Sequence, residues 1–93
     1  MSVKGVPVAS VAEVKAAIDA AMQHVQEGQE AVRAANEKLG EAQLSLAAAV
    51  EGSGHESVTS AQAALAQAAT ELEDCLTATL GAMEQAQQYA AAL

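Results

Sequence analysis

The chain has 93 residues, a net charge of −8, one cysteine and a single aromatic residue. A domain this small depends on a disulfide, a metal or a partner chain for part of its stability, and a lone Cys75 excludes an internal disulfide. All four basic residues precede Leu39, so the second half carries only carboxylates, which repel phosphate and argue against nucleic acid and anionic membranes.

Residues 1–9, with two basic or turn-forming interruptions at Lys4 and Pro7, hold no continuous apolar stretch of the kind a secretory signal needs. They read as a flexible tail, followed by one helical-hairpin domain over 10–93. Synthesis in the cytoplasm is the expectation, with any export by a signal-independent route. No segment approaches the length of an apolar membrane span.

The first helix is predicted over about 11–50. Ser10, Val11, Ala12, Glu13 has the Ser-x-x-Glu spacing of a capping box, in which serine and glutamate each satisfy an otherwise unpaired amide. Val11, Ile18, Val25, Val32, Leu39 and Leu46 then recur every seven residues, with Val14, Ala21, Gly28, Ala35, Ala42 and Ala49 three further on. Large residues in one row and small ones in the next predict a helix–helix seam. Gly40 after Lys38 has the look of a helix end, but the unbroken step from Leu39 to Leu46 favours a continuous helix. Close approach of another backbone at Gly28 would offset the helix-propensity penalty there.

The turn is predicted at about 51–55, with Gly52, Ser53 and Gly54 as its reversal. Ser53, Gly54, His55, Glu56 repeats the Ser-x-x-Glu pattern, so Ser53 is the expected cap of the second helix, with Ser57 as the second candidate. That helix, over about 56–91, carries Val58, Leu65 and Leu72 at seven-residue spacing, with Ala61, Ala68 and Cys75 three further on. Folded antiparallel, the rows set Leu46 opposite Ala61, Ala42 opposite Leu65, Leu39 opposite Ala68, Ala35 opposite Leu72 and Val32 opposite Cys75. Large faces small at the first four levels, which allows close packing. The fold expected is therefore all-α: a two-helix antiparallel, coiled-coil-like hairpin. Alanine makes up 25 residues while Leu, Ile and Val together number only 18, so burial within two helices is scant and assembly into a four-helix bundle is expected.

Leu76, Leu80 and Met83 continue an apolar stripe beyond the proposed seam, and Leu44 points away from it. These four are the predicted anchors for a second hairpin, either another copy of the chain or a similar helical protein.

Little here supports chemistry. His24, His55 and Cys75 fall at different heights and on different faces, whereas zinc needs three or four convergent ligands. Cys75, placed on the seam, reads as a small buried hydrophobe, and Gly52, Ser53, Gly54 lacks the elbow of a serine nucleophile. No enzyme activity, cofactor, metal or small-molecule substrate is expected. An amphipathic hairpin on a membrane would need basic residues and bulky aromatics that the chain lacks.

Two long helices joined by a glycine-containing turn in a short acidic chain resemble small actinobacterial Ala-rich helical-hairpin proteins of unknown function. More distantly they are similar to the W-x-G helical-hairpin family of type VII secretion substrates. W-x-G itself is absent, Gly52, Ser53, Gly54 standing in its place, and the terminal Y-x-x-x-[D/E] signal is met at Tyr89 but not at Leu93. The resemblance implies a non-enzymatic helical protein–protein interaction module associated with secretion or with a toxin. The alternative is a purely structural homo-oligomeric coiled coil without separate cargo.

Overall fold

The computed structural model describes residues 10–51 and 54–93. The expected turn residues Gly52 and Ser53, and the tail 1–9, lie outside the described residues. Two helices, α1 (Val11–Ala49) and α2 (Glu56–Ala92), pack side by side as an all-α hairpin. The molecule is a rod measuring 70 × 27 × 15 Å, one layer of helices thick.

The start of α1 is set by the capping box. The Glu13 amide donates to Ser10 Oγ at 3.0 Å, and the Ser10 amide donates back to Glu13 Oε1 at 2.9 Å. The two bonds satisfy amides that a helix start otherwise leaves unpaired, and the Ser10 backbone amide, followed by the Ser10 hydroxyl, holds the Glu13 carboxyl below its ordinary range. α1 passes through Gly40 without a break. It ends where Val50 leaves helical geometry while its amide still donates to the Leu46 carbonyl at 3.1 Å.

The start of α2 differs from the expected Ser53 cap. His55 is the capping residue, its Nδ1 accepting the Ser57 amide at 3.1 Å. A capping box from Ser53 would require Glu56 at the third helical position, but Glu56 occupies the first. The imidazole accepts from the second helical residue, where a box would use the third, and its ring nitrogen takes the role that Asp, Asn or Ser oxygens usually fill. Ser57 is the donor at this cap, not the capping residue.

The packing of α1 on α2 corrects the predicted seam in one respect. The positions of α1 and its C-cap that are withdrawn from solvent are Ile18, Val25, Val32, Leu39 and Leu46, together with Met22, Gln29, Asn36, Gln43 and the cap Val50; Gln29 is buried, the others half-buried, as are Val14 and Gly40. The second row thus lies four residues beyond the first, not three. Ala21, Gly28, Ala35, Ala42 and Ala49, the expected small half of the seam, are all exposed. In α2 the same four-residue step holds: Val58, Leu65, Leu72, Thr79 and Ala86 go with Gln62, Ala69, Leu76, Met83 and Ala90, while of the expected small row Ala61 and Cys75 are exposed and Ala68 is half-buried. Either choice gives the alternating three-and-four steps of a coiled coil. The observed one turns Met22, Val50, Leu76 and Met83 inward in place of Ala21, Ala49, Cys75 and Ala82, and so removes more apolar area from water.

Among the described residues two side-chain hydrogen bonds cross this seam. Gln29 Nε2 donates to Thr79 Oγ1 at 3.0 Å, and Gln62 Nε2 donates to the Gln43 carbonyl at 3.1 Å. They fix the heights, with residue 29 level with 79 and 43 level with 62, close to the expected alignment of Leu39 with Ala68. The height of the pairing was legible in the sequence; the rotation of each helix about its axis was not.

No apolar residue among the described residues is fully buried. Among the described residues the one buried side chain is polar: Gln29, 5% exposed. Gly28 has open space where a side chain would stand, so no second backbone approaches it within the hairpin.

Candidate functional site

The anchors predicted from the sequence separate into two kinds. Leu76 and Met83 belong to the seam of the hairpin itself, half-buried against α1. They are therefore corrected from partner anchors to internal packing residues, because α1 turns its Met22–Gln29 row, not its Ala row, toward them. Leu80 and Leu44 are exposed, at 54% and 74%. At about 1.5 Å per residue they stand about 24 Å apart along the rod, and they do not form one patch. Of the turn residues, Gly54 is exposed and precedes the His55 cap.

The hairpin has two broad sides, and they differ in chemistry. One carries the rows of Gln29, Asn36 and Gln43 from α1 and of Ala69 and Leu76 from α2. A groove of about 690 Å³ on this side is lined by Asn36, Gln43, Ala69 and Leu76 together with Glu30, Arg33, Ala34, Glu37 and Gly40. Charged and amide groups dominate it.

The other side carries the rows that the sequence marks most strongly. From α1 come the valine–leucine row from Ile18 to Leu46 and the small row from Ala21 to Ala49. From α2 come the row Val58, Leu65, Leu72, Thr79, Ala86 and the row Ala61, Ala68, Cys75, Ala82, Tyr89. That both helices present these rows to the same side is seen near the open end, where Val14, Ile18 and Ala21 line one groove with Ala82, Ala86 and Tyr89, and Glu13, Ala17 and Gln85 stand at its edge. The groove has a volume of about 630 Å³. Antiparallel helices reverse the sense of rotation between them, so equivalent rows fall on the same side along the whole rod. Over the described residues these four rows contain no Asp, Glu, Lys or Arg. The row of half-buried residues and the exposed small row together make a flat, uncharged, apolar face.

No family model, curated protein or solved structure matches this chain. The surface must therefore be read from its own chemistry.

The groups with chemical potential are dispersed. His24 Nδ1 lies 3.6 Å from Glu27 on the exposed side of α1, His55 caps α2 at the opposite end, and Cys75 is exposed midway. Among the described residues no three His, Cys, Asp or Glu side chains converge as a metal site would require, and no helix is long and apolar enough to cross a membrane. The residues that sequence reasoning missed as surface are the exposed alanines at 21, 35, 42, 49 and 61. Their signal was present as a small row beside a large one, but it was assigned to the inside of the hairpin.

Proposed function

We propose that the protein is a non-enzymatic helical interaction module that works by covering its uncharged face with another helical protein surface. One observation carries the reading. The hairpin leaves every described apolar residue at least partly exposed while holding a face whose four rows carry no charged residue, Glu13 alone reaching its groove at the open end. Two helices with so little buried apolar area fall short of the stabilisation that offsets chain entropy, and a binding partner that recognises the folded form supplies the difference by mass action. The dispersed histidines and cysteine support binding over catalysis as the mode of action. The acidic two-helix architecture supports a place beside secretion machinery or a toxin as the setting for that binding.

Amide hydrogen exchange on highly dilute protein tests the reading. The seam amides around Gln29 and Leu72 are expected to open with a free energy of at most about 3 kcal/mol, below the stability usual for an independent domain. Protection of about 5 kcal/mol or more in a single, unassociated copy would show that the hairpin is complete without a partner and would overturn it.

A further inference from the structure

The uncharged face fits a second copy of the chain in one orientation. We infer that two hairpins associate through this face about a two-fold axis running along the rod, with both turns at the same end. The inference rests on the interaction-module reading above and names its partner.

Size is the first argument. At about 1.5 Å per residue, the 39-residue α1 is about 58 Å long, and with a neighbour about 10 Å away the two helices offer a face of about 1,100 Å². A stable protein interface needs about 800 Å² per partner, and association through this face converts the half-buried Leu39, Leu65 and Leu72 into core residues.

Shape is the second. An axis along the rod keeps every height unchanged, so α1 of one copy lies over α2 of the other at the levels fixed by the Gln29–Thr79 and Gln62–Gln43 hydrogen bonds. Leu39 then meets Ala68 of the second copy, Ala35 meets Leu72, and Ala42 meets Leu65. The large-against-small matching written in the sequence goes largely unused inside the hairpin, because Ala35 and Ala42 are exposed there and only Ala68 is half-buried. It is satisfied between copies, where exposed alanines accept leucines and let the helices approach.

Charge is the third. The rim of the face is formed by the residues one row outside the alanines, and in that row the carboxylate, Lys or Arg side chains among the described residues are Lys38 on α1 and Glu71 on α2; Glu13 borders the groove at the open end, where it is held by the Ser10 cap. Lys38 neighbours Ala35 and Ala42, and Glu71 neighbours Ala68 and Cys75, at three- and four-residue helical spacing. In the hairpin they stand at opposite rims within one helical turn of the same height, and Lys38 reaches only its own-helix Glu41, at 3.3 Å. The two-fold places Lys38 of each copy on the rim that carries Glu71 of the other, giving two opposite-charge contacts. All adjacent helices are antiparallel in the resulting four-helix bundle.

Sedimentation equilibrium across a hundredfold concentration range tests this, with circular dichroism confirming that each variant keeps its helix content. The wild type is expected to show a monomer–dimer equilibrium. Ala35→Glu and Ala42→Glu, each burying two carboxylates in the dimer, are expected to weaken it at least a hundredfold, whereas Leu80→Glu and Leu44→Glu, which lie off the face, are expected to leave it unchanged. Lys38→Glu should weaken the dimer about threefold to thirtyfold, twice the effect of one exposed pair, and adding Glu71→Lys should restore it. A dimer lost with Leu80→Glu and kept with Ala35→Glu overturns the choice of face, and failure of the double reversal to restore it overturns the axis. Binding of monomers to neutral phosphatidylcholine vesicles would assign the face to lipid and overturn the inference. A wild type that stays monomeric overturns it too; weak amide protection in that monomer would leave the interaction-module reading standing, and strong protection would remove both.

Discussion

The Gln29–Thr79 hydrogen bond makes an asymmetric prediction about two nearly isosteric substitutions. Thr79 Oγ1 accepts from Gln29 Nε2 at 3.0 Å and donates its own proton to the Leu76 carbonyl at 2.9 Å. Thr79→Val removes the acceptor and leaves the amide of a side chain only 5% exposed without that partner, which costs about 1–3 kcal/mol. Gln29→Met removes the amide instead. The threonine hydroxyl keeps its bond to Leu76, so the loss is one net hydrogen bond of about 0.5–1.5 kcal/mol, set against an apolar gain of about 0.8 kcal/mol for each added buried methylene-sized group. Gln29→Met is therefore expected to be neutral to within about 1 kcal/mol, and adding Thr79→Val to it should cost clearly less than Thr79→Val alone. Urea unfolding followed at 222 nm, at one fixed protein concentration, measures the cycle. A Gln29→Met variant less stable than Thr79→Val, or two effects that simply add, would refute the claim that this bond spans a dry seam.

Three further predictions follow from the helix ends and surfaces. Gly81 has open space around the position of a side chain, so Gly81→Ala should raise stability by about 1 kcal/mol through helix propensity alone, seen as a rise in thermal midpoint. Neither helix has a basic residue in its last turn, and Ala91→Lys should stabilise α2 by about 0.3–1 kcal/mol, an effect that salt in the melting buffer should diminish. The Ser10 backbone amide, then the Ser10 hydroxyl, hold the Glu13 carboxyl below its ordinary value. A lowered folded-state value means that the contribution of Glu13 is present above the ordinary carboxylate range and is lost as pH falls through its own depressed value. NMR titration should find Glu13 titrating below the ordinary glutamate value, and Ser10→Ala should return it toward that value.

The sequence disclosed the two helices, the Ser10–Glu13 box and the height at which the helices pair, because each of these depends on spacing along the chain. Rotation about the helix axis depends on something else. A row of large residues seven apart has a neighbouring row at three residues and another at four, and both complete a coiled-coil seam. The choice was settled by which row offers more bulk and which polar groups find partners. Met22, Leu76 and Met83 supplied the bulk, while Gln29 and Gln62, which look like surface residues by type, found acceptors across the seam. Because the alanine rows were read as internal, Cys75 and Ala35 were expected to be packed, and the exposed apolar surface was sought at Leu76 and Met83. The cap of α2 was hidden for a simpler reason: His55 is a rare capping residue, and Ser-x-x-Glu is a common signal.

The account turns on which face of the hairpin is left open, and the native cysteine reports on it directly. Cys75 stands on the uncharged face and is exposed in a single hairpin, so its rate of labelling by a maleimide can be followed without any substitution. The account predicts rapid labelling in dilute protein and a rate that falls as concentration rises, in step with the dimer fraction measured by sedimentation. Labelling that is slow at every concentration would place Cys75 inside the hairpin seam, and labelling that stays rapid while the protein dimerises would place the interface on the other side; either result contradicts the assignment of the open face.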